Sequence, residues 1–450
     1  MTSDATTPSP SLDLADRPVS RGRVLAWALW DWATQPFNSV IITFVFAALY
    51  LVGDDFMDPE IAKLGEGNAA YELALASLSS GFGAAMTVAG IIVAVLAPVL
   101  GQRADTAGRR KLWLGWMTGL LVLSMLGLAF VQAAPPYFVL GVGLIAIGSI
   151  FSEIGGVNYN ALITQVSTPA NVGRVSGLGW GFGYTGGIVA LVLVVVAQSA
   201  DWFGLDTSNG MAYRLIAVGC AVWCLAFAWP LFRWVPESTA TGREPVSFVA
   251  GYARLWRDLV RLWHDSRATL WFLVASAIYR DGLAGVFTFG AIIASVAYGF
   301  SGDQVIYFGV AANLVAGVAT MLSGFVDDRF GPRRLILWSL ALMVVSGLAV
   351  AVLHPLGPVV FWVAGLVLCL FVGPVQSASR SLLARVSPPG KQGEIFGLYA
   401  TTGRAVSFLA PLMWTLTIAL TGATIWGVVG IVVVLALGLG AMLLVKLPTR

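Results

Sequence analysis

The sequence predicts an all-α polytopic membrane protein, with 12 transmembrane helices in two pseudo-two-fold related six-helix bundles, and three observations predict it. The first is apolarity. Of the 450 residues, 58% are hydrophobic and 11% charged, against roughly a quarter charged in soluble domains, and the mean hydropathy is +0.83. Apolar runs of about 20 residues recur along nearly the whole chain, the length a helix needs to span ~30 Å of hydrocarbon. The second is duplication. Residues 101–111 read GQRADTAGRRK and residues 324–334 read GFVDDRFGPRR, so Gly101, Asp105, Gly108, Arg110 and Lys111 are answered by Gly324, Asp328, Gly331, Arg333 and Arg334. The third is the placement of charge. The net charge is only +3, but the basic residues fall in alternate connections while the intervening ones carry mainly Asp or Glu. The positive-inside rule then puts both termini in the cytoplasm, and two inside termini require an even number of crossings.

Taken in order, residues 1–22 are polar and acidic, which predicts a disordered cytoplasmic tail and no cleaved signal peptide. Residues 23–234 form the first six-helix bundle, 235–266 a cytoplasmic linker with an amphipathic helix, and 267–450 the second bundle. The first segment, 24–52, opens with Trp27, Trp30 and Trp32 around Asp31, followed by Gln35, Pro36 and Asn38. Asp31 lies eight residues past Arg23, roughly 12 Å along a helix and inside the apolar zone. Pro36 frees a backbone carbonyl and permits a kink. Segments two (72–100) and three (112–131) flank the first charged loop. Segment four ends in SEIGGVNYNALITQ, where Glu153, Asn158 and Asn160 are unusually polar. Segment five contains Gly181, Gly183 and Gly186 in a literal G-x-G-x-x-G, but no strand precedes it, so the glycines are read as close-approach faces between helices.

After segment six (213–232), Phe248, Tyr252, Leu255, Leu259 and Leu262 recur at helical spacing, with Arg254, Arg257 and Arg261 off the stripe and Trp256 and Trp263 at its border. That predicts an amphipathic helix, lying either on the membrane surface or on the ends of the bundle. Segment seven (268–298) carries Arg280 and Asp281, and Arg280, thirteen residues past Arg267, lies roughly 20 Å along. Segments eight to twelve follow at 304–325, 335–353, 359–383, 392–420 and 424–447, with Arg404 at a depth like that of Arg280. A second internal echo pairs LITQVSTPANVGRVSGLGWGFG (162–183) with LLARVSPPGKQGEIFGLYATTG (382–403). Both copies run in the same sense, as a parallel duplication does.

On these residues the chain resembles the major facilitator superfamily. Gly101, Asp105, Gly108, Arg109 and Arg110 match its loop motif between helices two and three, and Gly324, Asp328, Arg329, Gly331 and Arg333 match the copy between eight and nine. Thr106 stands where the motif usually has a base, and Pro332 replaces its first Arg. The resemblance implies that these residues form a conformational gate, the motif's Asp meeting the other half near the start of helix eleven. More narrowly, WALWDWA (27–33), YNAL (159–162), GRVSGLGW (173–180), GPVQ (373–376), SRS (379–381), FGLY (396–399) and Gly403-Arg404 are similar to the autophagy-related vacuolar effluxer-like branch. In that branch fungal members are associated with amino-acid efflux from vacuoles and bacterial members are mostly permeases of unassigned substrate, so the likeness implies a transporter and leaves the solute and the direction open.

Ionisable groups in a bilayer cost about 2.5–3.5 kcal/mol each on insertion scales and are functional candidates for that reason. Asp31, Glu153 and Asp281 balance Arg280, Arg380 and Arg404 in number. The candidate substrate and proton pathway is therefore Asp31, Gln35, Asn38, Glu153, Asn158, Asn160, Tyr184, Arg280, Asp281, Gln376 and Arg404. Asp31 or Asp281 is expected to accept the proton, Arg280 or Arg404 to face a carboxylate of the first half and to hold an anionic group. Arg380, close to Arg385, is expected to anchor the inner interface by snorkelling. The expected function is secondary active transport of a small polar or amphipathic solute by alternating access, coupled to protons, in a monomer in a bacterial plasma membrane. An uncoupled facilitator, an exporter of lipids or drugs, and a non-transporting receptor or scaffold are the rivals. Cys220, Cys224 and Cys369 sit in apolar segments away from His and carboxylates, so no metal, cofactor or disulfide is expected. No nucleophile with a base and no phosphate loop points to an enzyme, and no basic aqueous domain points to nucleic acid.

Overall fold

The computed structural model describes residues 19–65, 68–237, 248–265, 267–387 and 391–445. Most of the expected tail, 1–18, and part of the linker, 238–247, lie outside them. Among the described residues, eleven helices are long and apolar enough to cross a membrane. The twelfth crossing is the first in sequence. It runs as an α-helix over Arg21–Pro36 and then widens into π-helical turns over Phe37–Phe44 and Phe46–Leu51. Pro36 supplies no amide hydrogen, and the change of helix type follows directly on it.

The crossings that follow in the first half are Ala69–Ala107, Arg110–Gly127, Phe138–Ala161, Val172–Ser199 and Met211–Trp234. Those of the second half are Arg267–Ile292, Gly302–Phe330, Pro332–Val352, Pro358–Val386, Gln392–Thr421 and Thr424–Leu444. Below they are counted from first to twelfth. In the first half the first crossing packs on the fifth and sixth, and the fourth on the second and third. In the second half the twelfth packs on the seventh and ninth, and the eighth on the tenth. The halves meet chiefly through two pairs, second with eleventh and fifth with eighth. A pseudo-two-fold that carries the second crossing onto the eighth and the fifth onto the eleventh exchanges these two pairs.

Glycines set how closely the pairs approach. A Cβ on Gly101 would collide with the Gly393 carbonyl, and one on Gly324 would lie 2.7 Å from the Arg174 backbone. The halves are in backbone contact where the two internal repeats meet.

The linker helix, Phe248–Asp265, connects the sixth and seventh crossings. Of the predicted apolar stripe only the Tyr252 side chain is described, and its hydroxyl donates to the Val95 carbonyl at 2.9 Å. Gly251 is buried beside Val99. This end of the helix is docked on the second crossing, while Trp256 and Trp263 are exposed.

Candidate functional site

Even-numbered crossing puts both ends of the described chain on one side, here called the terminal side. Two clamps close the halves there. In the first, the Asp105 carboxylate accepts from the Glu394 amide at 3.0 Å, at the start of the eleventh crossing. Arg110 Nε donates to Asp105 at 2.5 Å and Arg110 Nη2 to Gln392 Oε1 at 2.7 Å. In the second, Asp328 accepts from the Gly173 and Arg174 amides at 2.8 and 3.2 Å, at the start of the fifth crossing. Arg174 Nε closes the same carboxylate at 2.7 Å. Each Asp thus sits on the N-terminal amides of a helix from the opposite half, where unsatisfied N–H groups and the helix dipole favour an anion.

Gly101 and Gly324 of the proposed gate are the points of backbone contact between the halves, whereas Gly108, Arg109, Arg329, Gly331 and Arg333 do not bridge them among the described residues. Gly108 and Gly331, at φ +61° and +86°, make the turns, which need a residue free of Cβ crowding. Arg109 is exposed, and Arg329 is exposed with its guanidinium over the adjacent Phe330 ring. Arg333 donates to the Val445 and Leu443 carbonyls at the end of the twelfth crossing, in its own half. Lys111 does the equivalent job in the first half, donating to Val235 at the end of the sixth. The useful match to Arg333 is therefore Lys111, one position along from Arg110.

Deeper between the halves, Arg380 of the tenth crossing is buried, which replaces the expectation of a snorkelling anchor. Its guanidinium donates to Asp31 Oδ2 at 3.3 Å, Asn160 Oδ1 at 3.0 Å, Ser176 Oγ at 3.0 Å and the Ser176 carbonyl at 2.6 Å. Tyr159 donates to the same Asp31 oxygen at 2.9 Å. Arg380 is absent from the expected pathway because its closeness to Arg385 in sequence points to the membrane interface.

Furthest from the terminal side, Arg404 donates to Glu153 at 2.6 Å across the halves, and both side chains are substantially exposed, at 39% and 43%. Arg280 meets no carboxylate among the described residues. It donates to the Tyr399 carbonyl at 2.8 Å and lies 3.8 Å over the Tyr399 ring. A Cβ on Gly403 would come within 3.0 Å of Arg280, so Arg280 lies against the eleventh crossing beside Arg404, and a Cβ on Gly90 of the second crossing would come within 3.9 Å of Arg404. Asp281 faces away from them and accepts from the Ala410 amide at 2.5 Å. There the eleventh crossing breaks, between Gln392–Val406 and Leu409–Thr421.

Tyr184 and Gln376 join the halves at 3.2 Å. Gln35 lies against Gly183 and Gly187 within its own half. Asn38 is exposed, and Asn158 is buried and donates to the Ile154 carbonyl. Thr401 donates to the Ala94 carbonyl at 2.9 Å. These bonds between halves all lie on the terminal portions of the crossings, whereas Leu73, Leu412 and Leu420 on the far portions of the second and eleventh are exposed. Arg404 and Glu153 stand exposed at the far end of this set of bonds.

The family described as "Vacuole effluxer Atg22 like" matches residues 164–449. An MFS-type transporter of Bacillus subtilis, YxiO, is 26% identical over 422 residues, which cover 92% of each chain. Autophagy-related protein 22-1 of Neosartorya fischeri is 29% identical over 265 residues, 53% of this chain and 42% of that one. The chain thus spans about two fifths of that fungal relative. Among solved structures, a proton:xylose symporter of the major facilitator superfamily superposes with a TM-score of 0.68 at 15% identity, covering 94% of both chains. A major facilitator transporter solved in the outward conformation, FucP, gives 0.68 at 14%, covering 95% of this chain and 99% of that one. At such identities the likeness establishes the fold.

Proposed function

Because this chain belongs to the Atg22-like vacuole effluxer family and is a membrane transporter of the major facilitator kind, we propose that it carries a small polar or amphipathic solute by alternating access, coupled to protons. The moving bodies are residues 23–234 and 267–450, tethered by 235–266, in a bacterial plasma membrane with both termini cytoplasmic. The observation that carries this reading is the seal itself. Its bonds are polar and, among the described residues, gathered toward the terminal ends of the crossings, so they can be broken and remade without disturbing either bundle. In this reading the bonded terminal side is the cytoplasmic one, and a crevice between the halves opens to the outside.

In this reading Arg280 takes a carboxylate, since it has a half-buried guanidinium stacked on Tyr399 and no carboxylate of its own among the described residues. Glu153 and Arg404, paired but exposed, exchange with the solute's other polar group, which suits an amino acid-like solute. Asp31 is the proton acceptor. It is held by Arg380 and Tyr159 in the closed seal, and a proton on Asp31 removes the charge that Arg380 answers. Asp281 holds the start of a helix fragment and has no part in proton transfer.

The test uses proteoliposomes, after a thermal-shift screen against amino acids, peptides, sugars and lipids has identified a solute. A gradient of that solute should drive an internal pH change with the wild-type protein and none with Asp31→Asn. Identical pH traces from the two proteins would reject proton coupling through Asp31.

A further inference from the structure

The groups that hold Arg380 make a complete receptor for a planar cation. The four acceptors named above meet all three guanidinium nitrogens: Nε on Ser176 Oγ, Nη1 on Asp31 and Asn160, and Nη2 on the Ser176 carbonyl. Three rings surround the same group, with the guanidinium carbon 5.0 Å from Trp27, 5.7 Å from Tyr159 and 5.6 Å from Trp180. Rings at this range attract a desolvated cation through their quadrupoles. Every one of these residues belongs to the first half, and Arg380 is contributed by the second.

The receptor is also preorganised by bonds that do not involve Arg380. Tyr159 is stacked between Trp27 and Trp30, with centroids 4.6 and 4.5 Å away. The Trp27 indole donates to the Tyr159 carbonyl, the Trp30 indole to Thr118, and the Tyr159 hydroxyl to Asp31. Gly179 leaves the space the guanidinium fills, because a Cβ there would lie 2.8 Å from Arg380 Nη2 and 2.9 Å from the Trp27 ring. The buried Trp180 indole N–H has no hydrogen-bond partner among the described residues. Such a cage costs little to reoccupy, since its walls are already in place.

We infer that the first half carries a binding site for a guanidinium-bearing solute, and that Arg380 occupies it as a tethered ligand while the terminal side is closed. The acceptors specify the ligand class. They are spread around a flat fork with donors on three nitrogens, which an ammonium group does not have. In the wild-type protein the site empties only when Arg380 withdraws with its own half, so access to it rests on the rocking motion proposed above. The binding site itself does not.

The test is methylguanidinium titrated into the purified full-length chain, with thermal unfolding as readout. Arg380→Ala should show a saturable rise in Tm of several degrees, the response of a folded state to a specific ligand. The closed wild type should show none, because its cage is filled, and Arg380→Ala/Asp31→Asn should show none. Methylammonium at the same ionic strength should give less than a tenth of the shift. No saturable shift in Arg380→Ala, an equal one in the double variant, or an equal one with methylammonium would overturn the inference. Should Arg380→Ala fail to fold alone, the readout becomes its recovery as folded protein with methylguanidinium present throughout purification. Recovery that methylammonium does not give supports the site, and no recovery, or equal recovery with methylammonium, overturns it. Binding to Arg380→Ala without binding to Asp105→Ala, whose seal is weakened, would support the site and count against the rocking motion.

Discussion

The two clamps between the halves share a bond and differ in what surrounds it. At the pair of second and eleventh crossings, Asp105 takes its counter-ion from its own half, and Asp105 and Arg110 are each 3% exposed. At the pair of fifth and eighth crossings, the counter-ion of Asp328 is Arg174 of the other half, 49% exposed. The own-half cation there is Arg385, which divides itself between Asp327 at 3.2 Å and Asp328 at 3.5 Å, while Ser381 donates to Asp327. The difference begins one residue after each motif glycine. Pro332 starts the ninth crossing where Arg109 precedes the third, and Arg333 is drawn to the end of the twelfth crossing. Duplicated sequence has therefore produced one dry clamp and one wet clamp, and the two should respond differently to mutation and to salt.

The largest effect should come from the dry clamp. Asp105→Ala leaves the buried Arg110 without its carboxylate, and breaking a buried pair in this way costs about 3–5 kcal/mol. Because that cost falls on the closed seal, labelling of a terminal-side cysteine at Thr401→Cys should rise by at least tenfold in the Asp105→Ala background. An unchanged labelling rate would mean that the pair does not hold the halves together. Asp328→Ala should act in the same direction but less strongly. It removes the bonds from the Gly173 and Arg174 amides, but it strands no buried cation, since Arg174 faces solvent and Arg385 keeps Asp327. Labelling equal to that of Asp105→Ala would erase the distinction between the clamps. Arg174→Ala should have the smallest effect, within the ~0–1 kcal/mol of an exposed pair, and the effect should vanish in 1 M salt, where the Debye length is about 3 Å. A salt-independent loss would show the pair to be effectively dry.

Much of this architecture was legible in the sequence because a bilayer leaves the backbone few options. Hydrocarbon requires every backbone bond to be satisfied within a segment, so apolar length alone counts the crossings. The glycines and carboxylates of the two loops were legible because close backbone approach and helix N-termini restrict residue type. Partners across the halves were less so. Arg404 or Arg280 was expected to face a carboxylate from the first half, and Arg404 meets Glu153, but nothing in the sequence chooses between the two arginines. Asp281 is a proton candidate by its depth in an apolar segment, and the break in the eleventh crossing that gives it an amide partner is hard to see in sequence. Pro411 and Ser407 hint at it, and the Asp281 carboxylate is there to accept the freed Ala410 amide. The cage around Arg380 was hidden most deeply. Its members come from the first, fourth, fifth and tenth crossings, and no periodicity within one helix reveals that four helices turn the same pocket inward. The proximity of Arg380 to Arg385 in sequence suggested the membrane interface, but an arginine with four acceptors and three rings has no need of water.

The central claim is that the two halves move as bodies about the crevice, closing one side as they open the other. Pulsed electron–electron distances test it most directly, with one label pair on the terminal side at Ala107 and Arg329 and another on the far side at Leu73 and Leu420, all exposed positions. Introducing Asp105→Ala should lengthen the terminal-side distance and shorten the far-side distance in the same sample. A longer terminal-side distance with the far side unchanged would mean that the clamp opens locally, and would contradict the account.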